Sequence, residues 1–145
     1  MEKGLYYLAV PYQGSEEEKK YRTELSLRTT TEFLRQGISL FSPVIYVNKI
    51  AEELALPSLE RRREVIMPYL FEFLKVSKGM ILITIDGWQK SWGVQQELKF
   101  CHETHIPVFT LDADEIDNNL QKVLSRSLDR TQLSHLLKLT NLSFG

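Results

Sequence analysis

Residues 79–85, Gly-Met-Ile-Leu-Ile-Thr-Ile, constrain this chain more than any other stretch of its length. Successive side chains of a strand point to opposite faces, so a strand that is apolar at nearly every position must be covered on both sides. A parallel sheet walled by helices supplies that cover, and its central strands read as near-continuous Ile, Leu and Met. Two further short apolar runs fit the same pattern, residues 5–10, ended by Pro11 and Gly14, and residues 106–111.

Between the runs the period becomes helical. Residues 15–36 open on Ser15 as a capping residue followed by three glutamates, place Tyr21, Leu25, Arg28 and Phe33 at helical intervals, and stop at Gly37. Residues 38–47 read as a second strand that breaks at Ser42-Pro43, because the residue before a proline is pushed into extended backbone. Residues 51–56 suggest a helical turn. Residues 58–78 read as helical with an interruption at Pro68, whose missing backbone donor predicts a kink or two abutting helices. A helix is expected over 93–104 and one or two closing helices over 114–139.

Strand and helix thus alternate four times, with no repeat or linker to divide them. The expected fold is α/β, a flavodoxin-like or Rossmann-like three-layer sandwich with a parallel sheet of four to five strands, as one domain over residues 1–145. Right-handed crossovers allow a strand order of 2-1-3-4, which puts the topological switch between the first and third strands. Ligands bind such sheets beyond the carboxyl ends of the strands at the switch. Here those ends are residues 10–14 and 86–93.

Charge and composition narrow the function. A net charge of −1 gives no reason to expect a nucleic-acid-binding face, which needs a clustered excess of Lys and Arg. No apolar run is long enough to span a bilayer, and the N-terminus lacks the basic segment and long apolar core of a signal peptide, so a cytoplasmic protein with no membrane partner is expected. The single Cys101 excludes an internal disulfide and reads as core filler. No phosphate-binding loop or GxGxxG motif occurs, and nothing calls for a cofactor or a metal. His102 and His105 stand three positions apart on a predicted helix with no third ligand, so a solvated face is the ordinary reading. Arg61, Arg62 and Arg63 suit a phosphate or, more simply, a charged helix flank.

The segments Tyr-Leu-Ala-Val-Pro-Tyr at the end of the first strand, Phe-Ser-Pro-Val-Ile-Tyr after the second, and Asp-Gly-Trp-Gln-Lys-Ser-Trp-Gly-Val-Gln-Gln-Glu at 86–97 carry a resemblance. With His-Ile-Pro-Val-Phe-Thr-Leu-Asp at 105–112, they resemble the nucleoside 2-deoxyribosyltransferase superfamily. They look most like a bacterial and phage branch of it that bears the label domain of unknown function. The resemblance implies a small-molecule nucleoside or nucleotide partner and cleavage or transfer at its N-glycosidic bond, through a covalent glycosyl-glutamate. It implies Glu97 as the nucleophile, Tyr7 as the residue that orients it, and Asp86 as a contact to the base or an aid to its protonation. Ser91 and Gly93 would approach the sugar and its 5′ end, and Pro11, Tyr12, Ser42 and Pro43 would border the substrate. Relatives often complete one subunit's site with a neighbour's residues, so a homo-oligomer is implied, and the apolar stretch 136–145 could serve its interface or simply dock as a terminal helix.

The residues themselves are compatible with this chemistry. A nucleophilic carboxylate must be ionised, and Glu97 is expected in the first turn or so of a helix, where the positive end of the macrodipole favours charge. Asp86 would have a raised pKa if Trp88 and Trp92 desolvated it, as a proton donor requires. Trp88 and Trp92 offer stacking faces for a base, while Gly87 and Gly93 permit tight turning and close approach. Each has a plainer reading: a dipole-favoured acid at 97, an Asp-Gly turn at 86, core-roofing tryptophans, and a packing tyrosine at 7. Three departures from the superfamily pattern are Lys78, where an aspartate that helps hold the base often stands, and Tyr46 and Asn48 in place of histidines. A non-catalytic nucleoside or nucleotide sensor on the same fold is the alternative; a phosphorylated receiver is excluded because residues 9–14 contain no acid.

Overall fold

The computed structural model describes residues 4–144, with side chains through residue 140. The N-terminal reading at residues 1–3 and the side chains of 141–145 in the closing stretch lie outside the described residues. Four strands, β1 (Leu5–Ala9), β2 (Ser39–Phe41), β3 (Gly79–Ile83) and β4 (Val108–Leu111), form one parallel sheet in the order β2-β1-β3-β4. This is the flavodoxin-like α/β arrangement read from the sequence, at the lower of the two expected strand counts.

Helices wall both faces. Leu8, Ile81, Ile83, Phe109 and Leu111 pack with Leu25 and Phe33 of α1 (Glu16–Arg35). Tyr7, Ala9, Met80, Leu82 and Val108 pack with residues of α2 (Val47–Leu54), α3 (Leu59–Lys75), α4 (Trp92–Thr104) and α5 (Arg130–Phe144). Met80, Ile81, Leu82 and Ile83 are fully buried. Each such side chain stabilises the fold by about 1.5–3 kcal/mol, which is why residues 79–85 hold the centre. Cys101 is buried in the second layer, against Met80.

Helix α1 starts with a capping box: the Ser15 hydroxyl accepts from the Glu18 N–H at 3.1 Å, and the Glu18 carboxylate accepts from the Ser15 N–H at 3.0 Å. Its buried face is Arg22, Leu25, Ser26, Thr29 and Phe33, so Tyr21 (51% exposed) and Arg28 point outward, contrary to the expected stripe. The hydroxyls of Ser26 and Thr29 bond the carbonyls four residues back, which lets them be buried.

Three elements differ from the sequence reading. β2 ends at Phe41, and Pro43 opens a 3-10 turn (Pro43–Ile45) that leads into α2 four residues before the expected turn at 51. Proline suits a first helical position, where its missing N–H has no partner to lose, and the turn buries Val44 and Val47. α3 runs as one helix through Pro68, because Ile66, Met67, Leu70 and Leu74 bury one continuous face and outweigh the lost backbone bond. Only residues 130–144 of the closing segment form a regular helix; before it, 3-10 turns at Ala113–Glu115 and Leu120–Ser125 bring Leu120 and Val123 onto the α1 side of the core. Leu133, Leu136 and Leu137 dock α5 into the second layer. Among the described residues no helix is long and apolar enough to cross a membrane.

Candidate active site

A cavity of about 460 Å³ opens beyond the carboxyl ends of β1 and β3, at the topological switch. Its size is that of a small-molecule site. The loop after β1 gives Val10, Pro11, Tyr12 and Gly14; the turn after β2 gives Pro43 and Val44; the loop after β3 gives Gly87, Lys90 and Ser91. One wall is α3, through Ile66, Met67 and Leu70.

Glu97 of α4 lies in the lining of this cavity although it is only 6% exposed. The Tyr7 hydroxyl, reaching from the middle of β1, donates to Glu97 Oε2. Tyr7 is fully buried, fixed between Phe41 and Met80 on the neighbouring strands, so the hydrogen bond sets the carboxyl's position. Ser91 caps α4, its hydroxyl accepting from the Val94 N–H at 3.3 Å. Glu97 is therefore the sixth helical residue, one turn deeper than expected, past the unpaired N–H groups that carry the positive end of the dipole. Burial prevails instead and pushes its pKa up to about 8, with the Tyr7 hydrogen bond working in the opposite direction. Burial, and then the facing carboxyl, push the Tyr7 phenol up as well.

The structure sorts the other expected residues. Pro11, Tyr12, Pro43, Gly87, Ser91, Trp92 and Gly93 all line the cavity beside Glu97. Gly87 has φ +89°, where a side chain is strained, and a Cβ there would come within 3.1 Å of the Arg22 guanidinium. Gly93 has no atom within 4 Å of where a Cβ would be, so the protein leaves that space open rather than approaching closely. The tryptophans divide: Trp92 is half-buried with Arg63 over its ring at 4.5 Å, whereas Trp88 is buried in the α3/α4 layer and does not line the cavity. Asp86 is exposed and outside the lining, so the tryptophans do not desolvate it. Ser42 lies behind Pro43, 5% exposed, with no hydrogen-bond partner for its hydroxyl among the described residues.

The departures also resolve in space. Lys78 donates its N–H to the Leu5 carbonyl at the amino end of the sheet and lays its side chain along Gly4. The whole of β3 separates it from the cavity, so it places no charge there. Tyr46 sits with Phe41 and Tyr69 rather than in the lining, while Asn48 lines the cavity and accepts from Arg62. His105 caps the end of α4 in left-handed backbone and meets Arg130, and His102 meets Ser134 of α5, so the pair binds elements together.

Of the cavity's arginines, sequence reasoning missed Arg22, whereas Arg62 and Arg63 were read as suited to a phosphate or a charged helix flank. Arg22, only 5% exposed, donates to the Gln13 carbonyl at 2.8 Å and the Asp86 carbonyl at 3.1 Å, joining the two loops of the switch, and pairs with Glu18 at 3.3 Å. Arg62 and Arg63 of α3 line the opposite wall. For Arg22 the available signal was the repeat Arg22, Leu25, Thr29, Phe33, which fits a helical face as well as the stripe that starts at Tyr21.

No curated protein matches the sequence. A family model does: that of the domain of unknown function DUF1937, over residues 4–113, a span that holds all four strands and every lining residue described above. The chain belongs to the DUF1937 family.

Proposed function

We propose that this protein cleaves or transfers at the N-glycosidic bond of a nucleoside or nucleotide, with Glu97 as nucleophile, as the resemblance to the nucleoside 2-deoxyribosyltransferase superfamily implies. The observation that carries the reading is a buried carboxyl, held by a buried tyrosine, opening into a small-molecule cavity at the switch point. In the first step Glu97 Oε attacks C1′, the bond from C1′ to the base nitrogen breaks, and the base leaves with that electron pair and takes a proton from solvent. In the second, water or another base nitrogen attacks C1′, the ester bond to Glu97 breaks, and the carboxylate is restored; the acceptor's proton goes to solvent.

The remaining residues have roles consistent with their places. Tyr7 stabilises the ionised carboxylate, Trp92 offers its face to the base, and the open space at Gly93 admits the sugar. Asp86, exposed next to the lining Gly87, meets the base at the rim. Assembly into an oligomer belongs to the same proposal.

The raised pKa of Glu97 favours a second reading, a sensor in which a protonated carboxyl binds a nucleoside without reacting. Base release separates the two. Incubation with ribo- and deoxyribonucleosides and their 5′-monophosphates, followed by chromatography, should show free base, reduced at least about a thousandfold by Glu97→Gln. Saturable binding with no release from any substrate would leave the sensor standing, and release unchanged by the substitution would remove Glu97 from the chemistry.

A further inference from the structure

The cavity wall formed by α3 carries two guanidinium groups for which the N-glycosidic reading has no use. Arg62 gives one N–H to the Asn48 side-chain oxygen, a neutral acceptor, and Arg63 lies over Trp92. Among the described residues neither is paired with a carboxylate, although Arg61, on the same turn, pairs with Glu64 at 2.9 Å. The lining as a whole holds Arg22, Arg62, Arg63 and Lys90 against Glu18 and Glu97. Glu18 is already committed to Arg22 and the Ser15 N–H, and Glu97 is held largely protonated by burial at neutral pH. The open cavity therefore presents an excess of positive charge on a chain whose net charge is −1.

A neutral nucleoside offers these arginines only uncharged acceptors, which bind a guanidinium more weakly than an anion does. A guanidinium is a rigid fork of donors that matches phosphate oxygens in pairs, and two on adjacent positions of one helix, next to an aromatic face, fit an anion attached to a flat ring system. We infer that Arg62 and Arg63 receive a phosphate borne by the substrate's sugar, so that the substrate class is a nucleotide rather than a nucleoside. The inference rests on the proposed reading of the cavity as a nucleoside site. In it Asn48 is a positioning residue, holding the Arg62 guanidinium toward the cavity, and Arg63 is held by the Trp92 ring.

Equilibrium binding tests this without requiring turnover. Dissociation constants are measured by calorimetry for the four 2′-deoxyribonucleosides and their 5′-monophosphates, on the wild-type protein and on Arg62→Gln, Arg63→Gln, Arg62→Lys and the double Gln variant. Thermal melts confirm that each is folded. The expected result is a preference for the monophosphate that falls about ten- to a hundredfold with each Gln substitution and less with Lys, and that weakens as salt rises. Inorganic phosphate should compete with the monophosphate. Equal affinity for nucleoside and monophosphate, or a preference unmoved in the double variant, overturns the inference. So does binding of inorganic phosphate together with a nucleoside, which would make the anion a separate ligand. Base release is scored in parallel. A monophosphate preference without release retains the phosphate site and rejects the catalytic reading, while release from nucleosides with no monophosphate preference does the reverse.

Discussion

At the scale of the residue, the account turns on the protonation of Glu97. A nucleophile must be ionised, and burial holds this carboxyl's pKa near 8. The titratable groups against it, Tyr7 and Cys101, are both pushed upward by burial, so Glu97 ionises first as pH rises. The prediction is that kcat/KM climbs through about pH 8 and levels off above it, and that Tyr7→Phe moves this midpoint upward, because the hydroxyl that favours the charged form is gone. The same shift has a stability consequence. Between the ordinary value of 4.5 and about 8 the folded chain keeps a proton that the unfolded chain has lost, so stability falls as pH rises across that window and is flat above it. Glu97→Gln removes the titration: its melting temperature should exceed the wild type's at pH 9, with an advantage on the order of a few kcal/mol that shrinks toward pH 5. An advantage that does not vary with pH would place the charge elsewhere. The superfamily resemblance pointed to Glu97 and Tyr7 as a pair, but its electrostatics were not legible, since the depth of a carboxyl depends on which turn of α4 it occupies.

At the scale of the element, α1 does more than cover the sheet. Arg22 is the inward residue nearest its N-terminus, and its guanidinium ties the Gln13 carbonyl of one switch loop to the Asp86 carbonyl of the other. The sequence reading put Tyr21 and Arg28 on the inward face and passed over Arg22. The structure favours Arg22 because its long side chain reaches the carbonyls of both loops, and those bonds with the Glu18 pair let the guanidinium be buried. Arg22→Met keeps the apolar stem and removes those donors; it should cost about 2–4 kcal/mol in denaturant unfolding. Amide exchange should also quicken across residues 87–91, where the Asp86 carbonyl loses its anchor. Loss of stability without that local change would make Arg22 a packing residue alone. Element boundaries near prolines were the least legible part of the chain: Pro43 starts a helical turn, a position that suits proline, and Pro68 sits inside a helix, where buried neighbours outweigh the local preference.

At the scale of the whole molecule, strand order and site position were legible together. Unbroken apolar runs alternating with helical segments fit a doubly covered parallel sheet, and that sheet has its crevice where the chain leaves β1 and β3 toward opposite faces. The two tryptophans show where this legibility stops. Trp88 and Trp92 are equivalent in composition, yet the short 3-10 turn Trp88–Lys90 turns the first into the core and leaves the second at the cavity. Lys78 was similarly misjudged by its place in the sequence, because five residues of strand carry it to the far end of the sheet. What the fold brings together is a buried Tyr7–Glu97 pair, an aromatic face and a cationic wall around one cavity. The central claim, that Glu97 takes the sugar covalently, is tested most directly by mass spectrometry of the protein after reaction with 2′-deoxy-2′-fluoro nucleosides and their 5′-monophosphates. The electron-withdrawing fluorine slows release of the second step and lets the ester accumulate. The account predicts an added fluorosugar, phosphorylated where the monophosphate is the substrate, on the peptide that contains Glu97, and none in Glu97→Gln. Base release with no adduct, or an adduct on another peptide, would contradict it.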